Sequence, residues 1–473
     1  MGYIAVIGAG MGAMAASARL AYAGHQVTVF ERTDTYGGGV RRHERDGFGF
    51  DTGPGLLHLP AVYRDLFVKT GRRSLEECVE LVQVDPSARH LFADGTELTL
   101  PNASRAGVVD ALDKAVGHGA GERWSALVQR GRETWEDTRR PLLEEPLDED
   151  LGALGQDPYP ARRRGLLRRR STTLSEVAQH ELGEPRLVAL LESYAWLNGF
   201  DPARTPGSAA ILPYLEQTFG TWYVRGGIRA LATALYERCL ECGVEFRFGS
   251  EVLRVHEEDG RAHGLVLEGG EEITSDVVVS GRPPERLGGG GGDYCRKSRN
   301  IASSPRYTVL LALRGARPED AVHRTVVHGP ERPLLVLRPD DPALRPDEDH
   351  ESVVITTTLP SEEFEPDDER LADTLVATVD AAGLGLGERM LWREVRTPRD
   401  IEEQTGAPLG AVPGPSLAGA DGAFLRASNR SPLDGLYRVG GWAHPGGGLA
   451  HAGMSGAMAA GLIVEGDDWR GSQ

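Results

Sequence analysis

Residues 3–32, YIAVIGAGMGAMAASARLAYAGHQVTVFER, contain the pattern that decides the fold. YIAVI is a short apolar run, as expected of a strand that is buried on both faces of a parallel sheet. The alanine-rich run that follows predicts a helix that stops at Gly24, and QVTVFE predicts a second strand. The order strand, helix, strand predicts a βαβ unit.

A glycine-rich turn joins the first strand to the helix. Gly8, Gly10 and Ala13 occupy the three positions of the GxGxxG/A pattern, which combines a tight turn, a close approach of a pyrophosphate and close packing of helix on strand. The free N–H groups of the helix start would bind the phosphates. Glu31 ends the second strand, where a carboxylate accepts hydrogen bonds from an adenosine ribose. The sequence therefore predicts an adenine dinucleotide site.

The composition is that of an acidic globular protein. Of 473 residues, 70 are Asp or Glu and 52 are Lys or Arg, which gives a formal charge of −18 and disfavours nucleic acid as a partner. No apolar run is long enough to span a bilayer, and Met1 leads directly into strand-like residues without a charged leader. We expect a cytoplasmic protein, and the sequence contains no set of residues that predicts a metal site.

Residues 33–60, TDTYGGGVRRHERDGFGFDTGPGLLHLP, add a second motif. With this block, the sequence resembles the flavin-dependent phytoene desaturase and amine oxidase superfamily. In that family a Gly-Gly-Arg motif lies along the FAD pyrophosphate, and an Asp-Thr-Gly-Pro segment follows. Gly37 and Gly38 match the first motif and residues 51–54 match the second. The resemblance implies that the dinucleotide is FAD.

One position departs from this pattern. Gly39 stands where the family has the motif arginine. Either Arg41 or Arg42 supplies the missing charge from nearby, or the pyrophosphate relies on backbone N–H groups and the helix dipole alone.

Two later blocks resemble the remaining flavin segments of the family. Residues 220–255 resemble the re-entry segment, in which the backbone at Val252 meets the adenine ring. Residues 260–281 alternate apolar and polar residues and predict a small β-meander followed by a buried strand. Residues 436–448, LYRVGGWAHPGGG, resemble the carboxyl-terminal signature of bacterial phytoene desaturases, in which bare backbone passes along the isoalloxazine ring. The next helix would point its positive end at the flavin N1 and O2 edge and stabilise reduced flavin.

The carboxyl-terminal signature has three departures. Arg438 stands where the family prefers an aliphatic residue, Trp442 where it prefers Gly or Ser, and Gly447 where it prefers a small residue other than Gly. A tryptophan beside the flavin would narrow the substrate pocket.

The resemblance implies a cofactor-binding set drawn from all three segments. Its members are Gly8, Gly10, Met11, Gly12, Ala13, Glu31, Arg32, Gly37, Gly38, Gly39, Val40, Arg41, Val252, Gly441, Trp442, Gly448, Leu449 and Ala450. The candidate proton-transfer groups are His444, His451 and His58, each of which has a structural role as its alternative.

The predicted fold is α/β, with a discontinuous three-layer Rossmann-like FAD-binding domain formed by residues 1–60, 220–286 and 416–473. Residues 61–219 and 287–415 are predicted to form a mixed α+β substrate domain, helical in its first part and rich in strands in its second.

Two segments of the substrate domain have unusual compositions. The arginine-rich segment 161–170 predicts either a peripheral membrane contact or a face paired with the acidic residues upstream of it. The five glycines at 288–292 predict a mobile surface loop.

The predicted function is that of an FAD-dependent oxidoreductase that desaturates or rearranges C=C bonds of a lipophilic isoprenoid, polyene or polyketide-like substrate by hydride transfer to flavin N5. Quinone or O2 would then take the electrons. The alternatives are a tailoring oxidase of secondary metabolism, an amine oxidase with an aromatic cage drawn from Trp442, Trp222 and Tyr223, and a flavin-free scaffold protein.

Overall fold

The computed structural model describes residues 1–148, 151–160, 173–283, 303–329, 331–360, 368–466 and 468–471, and the backbone alone of 162–164 and 167–169. The glycine loop predicted at 288–292 lies outside these residues. So do the side chains of the arginine-rich segment, whose two backbone stretches pair as an antiparallel hairpin. Within the described residues, no helix has the length and apolar character needed to cross a membrane.

The chain has both alternating segments and runs of consecutive strands or helices. The strands are Tyr3–Ile7, Gln26–Phe30, Arg42–Arg45, Phe48–Asp51, Leu81–Gln83, Ala88–Leu91, Glu97–Leu100, Arg162–Arg164, Leu167–Arg169, Trp222–Val224, Glu245–Arg247, Val252–Glu258, Arg261–Leu267, Glu272–Thr274, Val277–Ser280, Arg306–Arg314, Arg324–His328, Pro333–Leu337, His350–Thr358, Met390–Arg396 and Leu436–Arg438. The α-helices are Met11–Tyr22, Ala61–Thr70, Arg105–Val116, Ala120–Arg139, Leu174–Val177, Pro185–Leu197, Ile211–Phe219, Arg229–Glu241, Asp368–Ala381, Pro398–Thr405 and Leu449–Glu465, and Arg140–Glu144 and Ala178–Leu182 are π-helical turns.

Five parallel strands form the first sheet. Their order is Glu245–Arg247, Gln26–Phe30, Tyr3–Ile7, Val277–Ser280 and Leu436–Arg438. The apolar run at the start of the chain is the central strand and is buried on both faces, as its composition predicts. The sheet therefore joins strands from the beginning, the middle and the end of the chain.

This sheet is the middle of three layers. One face packs against the N-terminal helix Met11–Tyr22, the middle helix Arg229–Glu241 and the C-terminal helix Leu449–Glu465. The other face packs against the three-stranded antiparallel meander 252–274, through residues such as Val255 and Leu265. The three-layer α/β fold predicted from the sequence is confirmed.

A second sheet has seven strands, all of which come from the segments predicted to form the substrate domain. Its order is Met390–Arg396, Arg306–Arg314, His350–Thr358, Pro333–Leu337, Arg324–His328, Ala88–Leu91 and Glu97–Leu100. The last two strands come from the earlier insertion, which the sequence pattern predicts to be helical, so the two insertions share one sheet. Helix Asp368–Ala381 covers one face with Ala372, Leu375, Val376 and Val379.

The predicted domain boundary at residue 60 falls before a helix that packs with the flavin side. Tyr63, Leu66 and Phe67 of helix Ala61–Thr70 lie in the same core cluster as the N-terminal helix. The hydroxyl of Tyr63 also donates a hydrogen bond to the carbonyl of Leu449, at 2.8 Å. By packing, this helix belongs with the parallel sheet.

The N-terminal and C-terminal helices cross in direct backbone contact. A Cβ added to Gly12 would lie 2.7 Å from Cα of Gly440, and one added to Gly456 would lie 2.5 Å from the carbonyl oxygen of Gly12. No side chain fits at these points, because such distances are far below van der Waals contact. The glycines therefore bring the two ends of the chain together.

Gly456→Ala tests this contact. Replacing glycine by alanine inside a helix usually stabilises by about 1 kcal/mol, but here the new methyl group would meet the backbone of the other helix. We expect the free energy of unfolding in urea to fall by about 1–3 kcal/mol. Ala457→Val, at the next and half-buried position, is the control and should change it by less than about 1 kcal/mol. Equal stability of Gly456→Ala and the parent protein would contradict the close crossing.

Candidate functional site

The glycine turn after the first strand lies against a second glycine turn. Gly8 has a φ of +86°, and its N–H donates to the carbonyl of Phe30 at 2.8 Å. Gly37 pairs with Gly10 as an isolated parallel bridge. A Cβ added to Gly38 would lie 3.0 Å from Cα of Gly10. The two predicted pyrophosphate motifs are therefore adjacent.

Glu31 lies buried beside this pair of turns. Its Oε2 accepts the N–H of Ala9 at 2.8 Å, and its Oε1 accepts the N–H and the hydroxyl of Thr33, each at 2.9 Å. These bonds hold the carboxylate at the end of the second strand, where it was predicted to bind a ribose. An ionised carboxylate has about four acceptor positions, so acceptor capacity remains for a ligand hydroxyl.

The three arginines near the turn have different positions. Arg41 donates from Nε to the carbonyl of Gly38 at 2.9 Å, whereas Arg42 donates to the carbonyls of Gly226 and Ala343. Arg32 is exposed and donates to the carbonyl of Glu403. Of the two arginines proposed to replace the motif arginine, only Arg41 lies at the turn.

Asp51, the first residue of the Asp-Thr-Gly-Pro match, connects two flavin segments. Its carboxylate accepts the N–H of Ile228 at 2.9 Å and that of Arg229 at 3.5 Å. Burial raises the pKa of Asp51 to about 6, against the opposing effect of these N–H groups and of Arg42. The carboxylate fixes the start of the middle helix.

The glycines of the carboxyl-terminal signature fall into two groups. A Cβ on Gly447 would lie 1.6 Å from the carbonyl oxygen of Pro413, and one on Gly446 would lie 2.7 Å from N of Ser416. The chain itself thus requires glycine at 447, which explains that departure from the signature. By contrast, a Cβ on Gly440 would meet no atom within 4 Å.

Arg438 and Trp442, the other two departures from the signature, contact different parts of the protein. Arg438 donates to the carbonyl of Arg430 at 3.2 Å and to the hydroxyl of Ser431 at 3.3 Å. Trp442 is half-buried, with the guanidinium of Arg426 5.8 Å from its ring centre. Arg438 therefore serves the neighbouring loop, whereas Trp442 lies within the turn.

The candidate histidines of the signature have different surroundings. His444 is fully buried, and its Nε2 lies 3.1 Å from the carbonyl oxygen of Glu145, which favours a structural role. His451 lies in the first turn of the C-terminal helix, with Nδ1 3.3 Å from the position of a Cβ on Gly448. Burial lowers the pKa of both imidazoles to about 4.

His58 lies beside a buried ion pair that the sequence did not reveal. Arg324 donates to Glu216 at 2.7 Å, and Tyr194 donates to the other oxygen of this carboxylate at 3.2 Å. Burial lowers the pKa of His58, and Glu216 opposes this effect. Glu216 lies on a helix and Arg324 on a strand, about 110 positions apart in the sequence. No local sequence pattern could therefore indicate that the two residues form an ion pair.

The predicted adenine contact also has a neighbour that the sequence did not reveal. Val252 begins the meander and is buried, and its carbonyl accepts a hydrogen bond from Nη1 of Arg282. The guanidinium of Arg282 therefore lies at the strand where the adenine ring is predicted.

The two helix starts have the properties that the phosphates and the ring edge of an FAD molecule require. The helices that begin at Met11 and Leu449 both start after a glycine, and no side chain caps either start. Their N–H groups are available to an anion or to an electron-rich ring edge. Gly10 and Gly440, near these two starts, have open space where a side chain would be.

Asp51→Asn tests the electrostatics of this site. Because the pKa of Asp51 in the folded state, about 6, lies above its ordinary value of 3.8, the folded chain holds the proton more tightly than the unfolded chain. The contribution of Asp51 to the free energy of unfolding should therefore fall by about 2–3 kcal/mol as the pH rises from about 4 to about 6, and then level off.

Asparagine cannot ionise, so the Asp51→Asn protein should show a flatter profile in urea denaturation at pH 4, 5, 6 and 7. Asp46→Asn, at an exposed turn, is the control and should keep the parent profile. An unchanged profile in Asp51→Asn would contradict the burial of an ionisable carboxyl at this point.

Known proteins are similar to this chain in sequence and in fold. The family described as "Flavin containing amine oxidoreductase" matches residues 14–464. The chain is 28% identical to a hydroxyneurosporene desaturase of Rhodobacter capsulatus over 494 residues, which cover 98% of this chain and 97% of that protein. It is 27% identical to a 4,4'-diapolycopene oxygenase of Methylomonas over 493 residues, which cover 98% of each. A solved oxidoreductase from Methanosarcina mazei has the same fold, with a TM-score of 0.67 at 17% identity, over 96% of this chain and 99% of that one.

Proposed function

The chain belongs to the family of flavin-containing amine oxidoreductases, and from this premise we propose that it is a desaturase or isomerase of a lipophilic polyene. It is an FAD-dependent oxidoreductase, as the sequence predicted. The observation that carries the polyene proposal is similarity over nearly the whole chain to two enzymes named for polyenes. The family resemblance and the carboxyl-terminal turn support the same substrate class.

The residues proposed to hold FAD come from three parts of the chain. Gly8 to Ala13 and the turn 37–41 would hold the pyrophosphate, Glu31 the ribose, and Val252 the adenine ring. Residues 441–442 and 448–450 would lie along the flavin ring. Bound there, FAD supplies the acceptor for a hydride.

The chain itself must orient the polyene, exclude water and take up a proton. Gly55 and Leu56 follow the Asp-Thr-Gly-Pro segment, and a Cβ on Gly55 would lie 2.6 Å from the side chain of Leu337. Leu56 packs with the apolar cluster that includes Leu310 and Leu337. Apolar packing therefore continues from the predicted flavin segment into the second sheet.

His451 is our candidate for the proton acceptor. It lies in the first turn of the C-terminal helix, beside the segment proposed to lie along the flavin ring. Burial lowers the pKa of the imidazole to about 4, so it is neutral at pH 7 with one unprotonated ring nitrogen, and it is a weaker base than an ordinary histidine. His58 stays a second candidate because of its position just after the flavin segment. Electron transfer to quinone or O2 and a membrane contact through 161–170 complete the proposal.

The other enzymatic interpretations are less well supported. The hydroxyl of Tyr223 donates to Asp341 at 2.8 Å, and Trp442 lies against Arg426. These two members of the predicted aromatic cage are thus occupied by protein groups. The named relatives also favour a polyene over an amine or a polyketide.

Anaerobic mixing of the FAD-loaded protein with a polyene tests the proposal. A desaturase should lose the visible absorption of oxidised flavin and shift the polyene absorption to longer wavelength, because each desaturation lengthens the conjugated system. An isomerase, whose reaction is redox-neutral, should change the polyene absorption while the flavin stays oxidised. Simple diamines are the control and should leave the flavin oxidised. Reduction by the diamine and not by any polyene would contradict the proposal.

Trp442→Gly tests whether this ring limits the pocket. Removing the indole should raise kcat/KM for a long polyene relative to a short one by about tenfold, which corresponds to about 1.4 kcal/mol of lost steric hindrance. Trp442→Phe retains an aromatic ring and is the matched control, with a ratio close to that of the parent enzyme. An unchanged ratio in Trp442→Gly would place the indole away from the substrate path.

A further inference from the structure

The missing motif arginine at position 39 raises the question of what balances the charge of the pyrophosphate. Gly39 is exposed, and a Cβ added to it would meet no atom within 4 Å. Its φ is not in the left-handed region, so its backbone conformation does not require glycine. Sterics therefore do not exclude an arginine at this position, and the chain must supply any positive charge from elsewhere.

Arg229 lies against the inner side of the 35–40 turn. This residue begins the middle helix and was not among the predicted site residues. Its guanidinium donates to the carbonyl of Val40 at 2.9 Å, to the hydroxyl of Thr35 at 2.6 Å and to the carbonyl of Tyr36. It also lies 4.1 Å from the centre of the Tyr36 ring. A Cβ on Gly37 would lie 2.7 Å from Nη1 of Arg229, so the cation touches the glycine turn itself.

Arg41 lies at the same turn, directly before the strand Arg42–Arg45. Besides the bond to Gly38, its Nη2 donates to the hydroxyl of Thr33 at 3.1 Å. Burial is the main cause that lowers the pKa of Arg41, and the charges of Arg32 and Arg229 add to this effect. Glu31 and Asp34 oppose it. Arg41 and Arg229 are therefore close enough to repel each other.

None of these hydrogen bonds pairs a guanidinium with a carboxylate, although Glu31 and Asp34 lie near Arg41 and offset part of its charge. All five acceptors named above are carbonyl or hydroxyl oxygens, which are neutral. Two like charges held at one partly buried turn destabilise each other, and an anion bound at this turn would relieve the repulsion. The turn meets Gly10 and the uncapped helix start that are predicted to receive a pyrophosphate.

We propose that Arg41 and Arg229 together replace the motif arginine that Gly39 lacks. Arg41 provides the nearby positive charge for the pyrophosphate. Arg229 is a positioning residue, which holds the carbonyls of the turn away from the anion and adds a second positive charge behind it. This assignment depends on the FAD site proposed above.

Binding of ADP and of adenosine to the FAD-free full-length protein, measured by calorimetry, tests the assignment. ADP contains the pyrophosphate and adenosine does not. Arg41→Gln and Arg229→Gln should each weaken ADP and FAD binding by about ten- to a hundredfold, as expected for the loss of a charged hydrogen-bond donor, and should leave adenosine binding unchanged. Arg42→Gln, whose side chain points to Gly226 and Ala343, is the matched control and should bind both as the parent protein does.

The double variant Gly39→Arg, Arg41→Gln tests whether Arg41 acts through its positive charge or through its hydrogen bonds to the turn. Because position 39 is open, the restored arginine should recover most of the ADP affinity lost in Arg41→Gln. Equal loss of ADP and adenosine binding, or no recovery in the double variant, would overturn the assignment and leave the arginines a structural role. Full ADP affinity in both single variants would do the same. A parent protein that binds neither FAD nor ADP would instead overturn the FAD site together with this inference.

Discussion

The contact of the N-terminal helix with the C-terminal helix is the constraint on which the site depends. Gly12, Gly440 and Gly456 let two backbones approach to distances at which no side chain fits. This contact places the turn after the first strand next to the turn that starts the last helix. Two helix starts without capping side chains thereby lie close together, although more than 400 residues separate them. A dinucleotide that is bound at its phosphates by one turn can then reach the other with its ring.

Two departures from the family pattern have local physical reasons in this chain. Gly447 is required because the carbonyl of Pro413 occupies the place of a side chain, and Arg438 is used by the neighbouring loop. Gly39 has no such reason, which is why we look for its missing charge in Arg41 and Arg229. The position of Arg229 is itself fixed through Asp51, whose carboxylate accepts N–H groups at the start of the same helix.

Local sequence patterns were sufficient for the parallel sheet, the glycine turns and the meander, because each is a short periodic segment with its own turn residues. The same patterns predicted that the second insertion is rich in strands, and the structure has strands there at Arg306–Arg314 and His350–Thr358. They did not reveal that Ala88–Leu91 joins that sheet, since strand pairing between distant segments depends on tertiary contacts. For the same reason, the sequence did not reveal the Glu216–Arg324 ion pair or the contacts of Arg229. The helix after residue 60 resembles any amphipathic helix, and only its packing assigns it to the flavin side.

The central claim is that three distant segments form one FAD site, and the cofactor content of the purified protein tests it most directly. The visible spectrum should show oxidised flavin, and denaturation should release FAD in a ratio of one per chain. FAD added to protein stripped of its cofactor should restore the same spectrum and the same ratio. A colourless protein that stays colourless when FAD is added would contradict the account, because the glycine turns, Glu31 and the two helix starts would then hold no flavin.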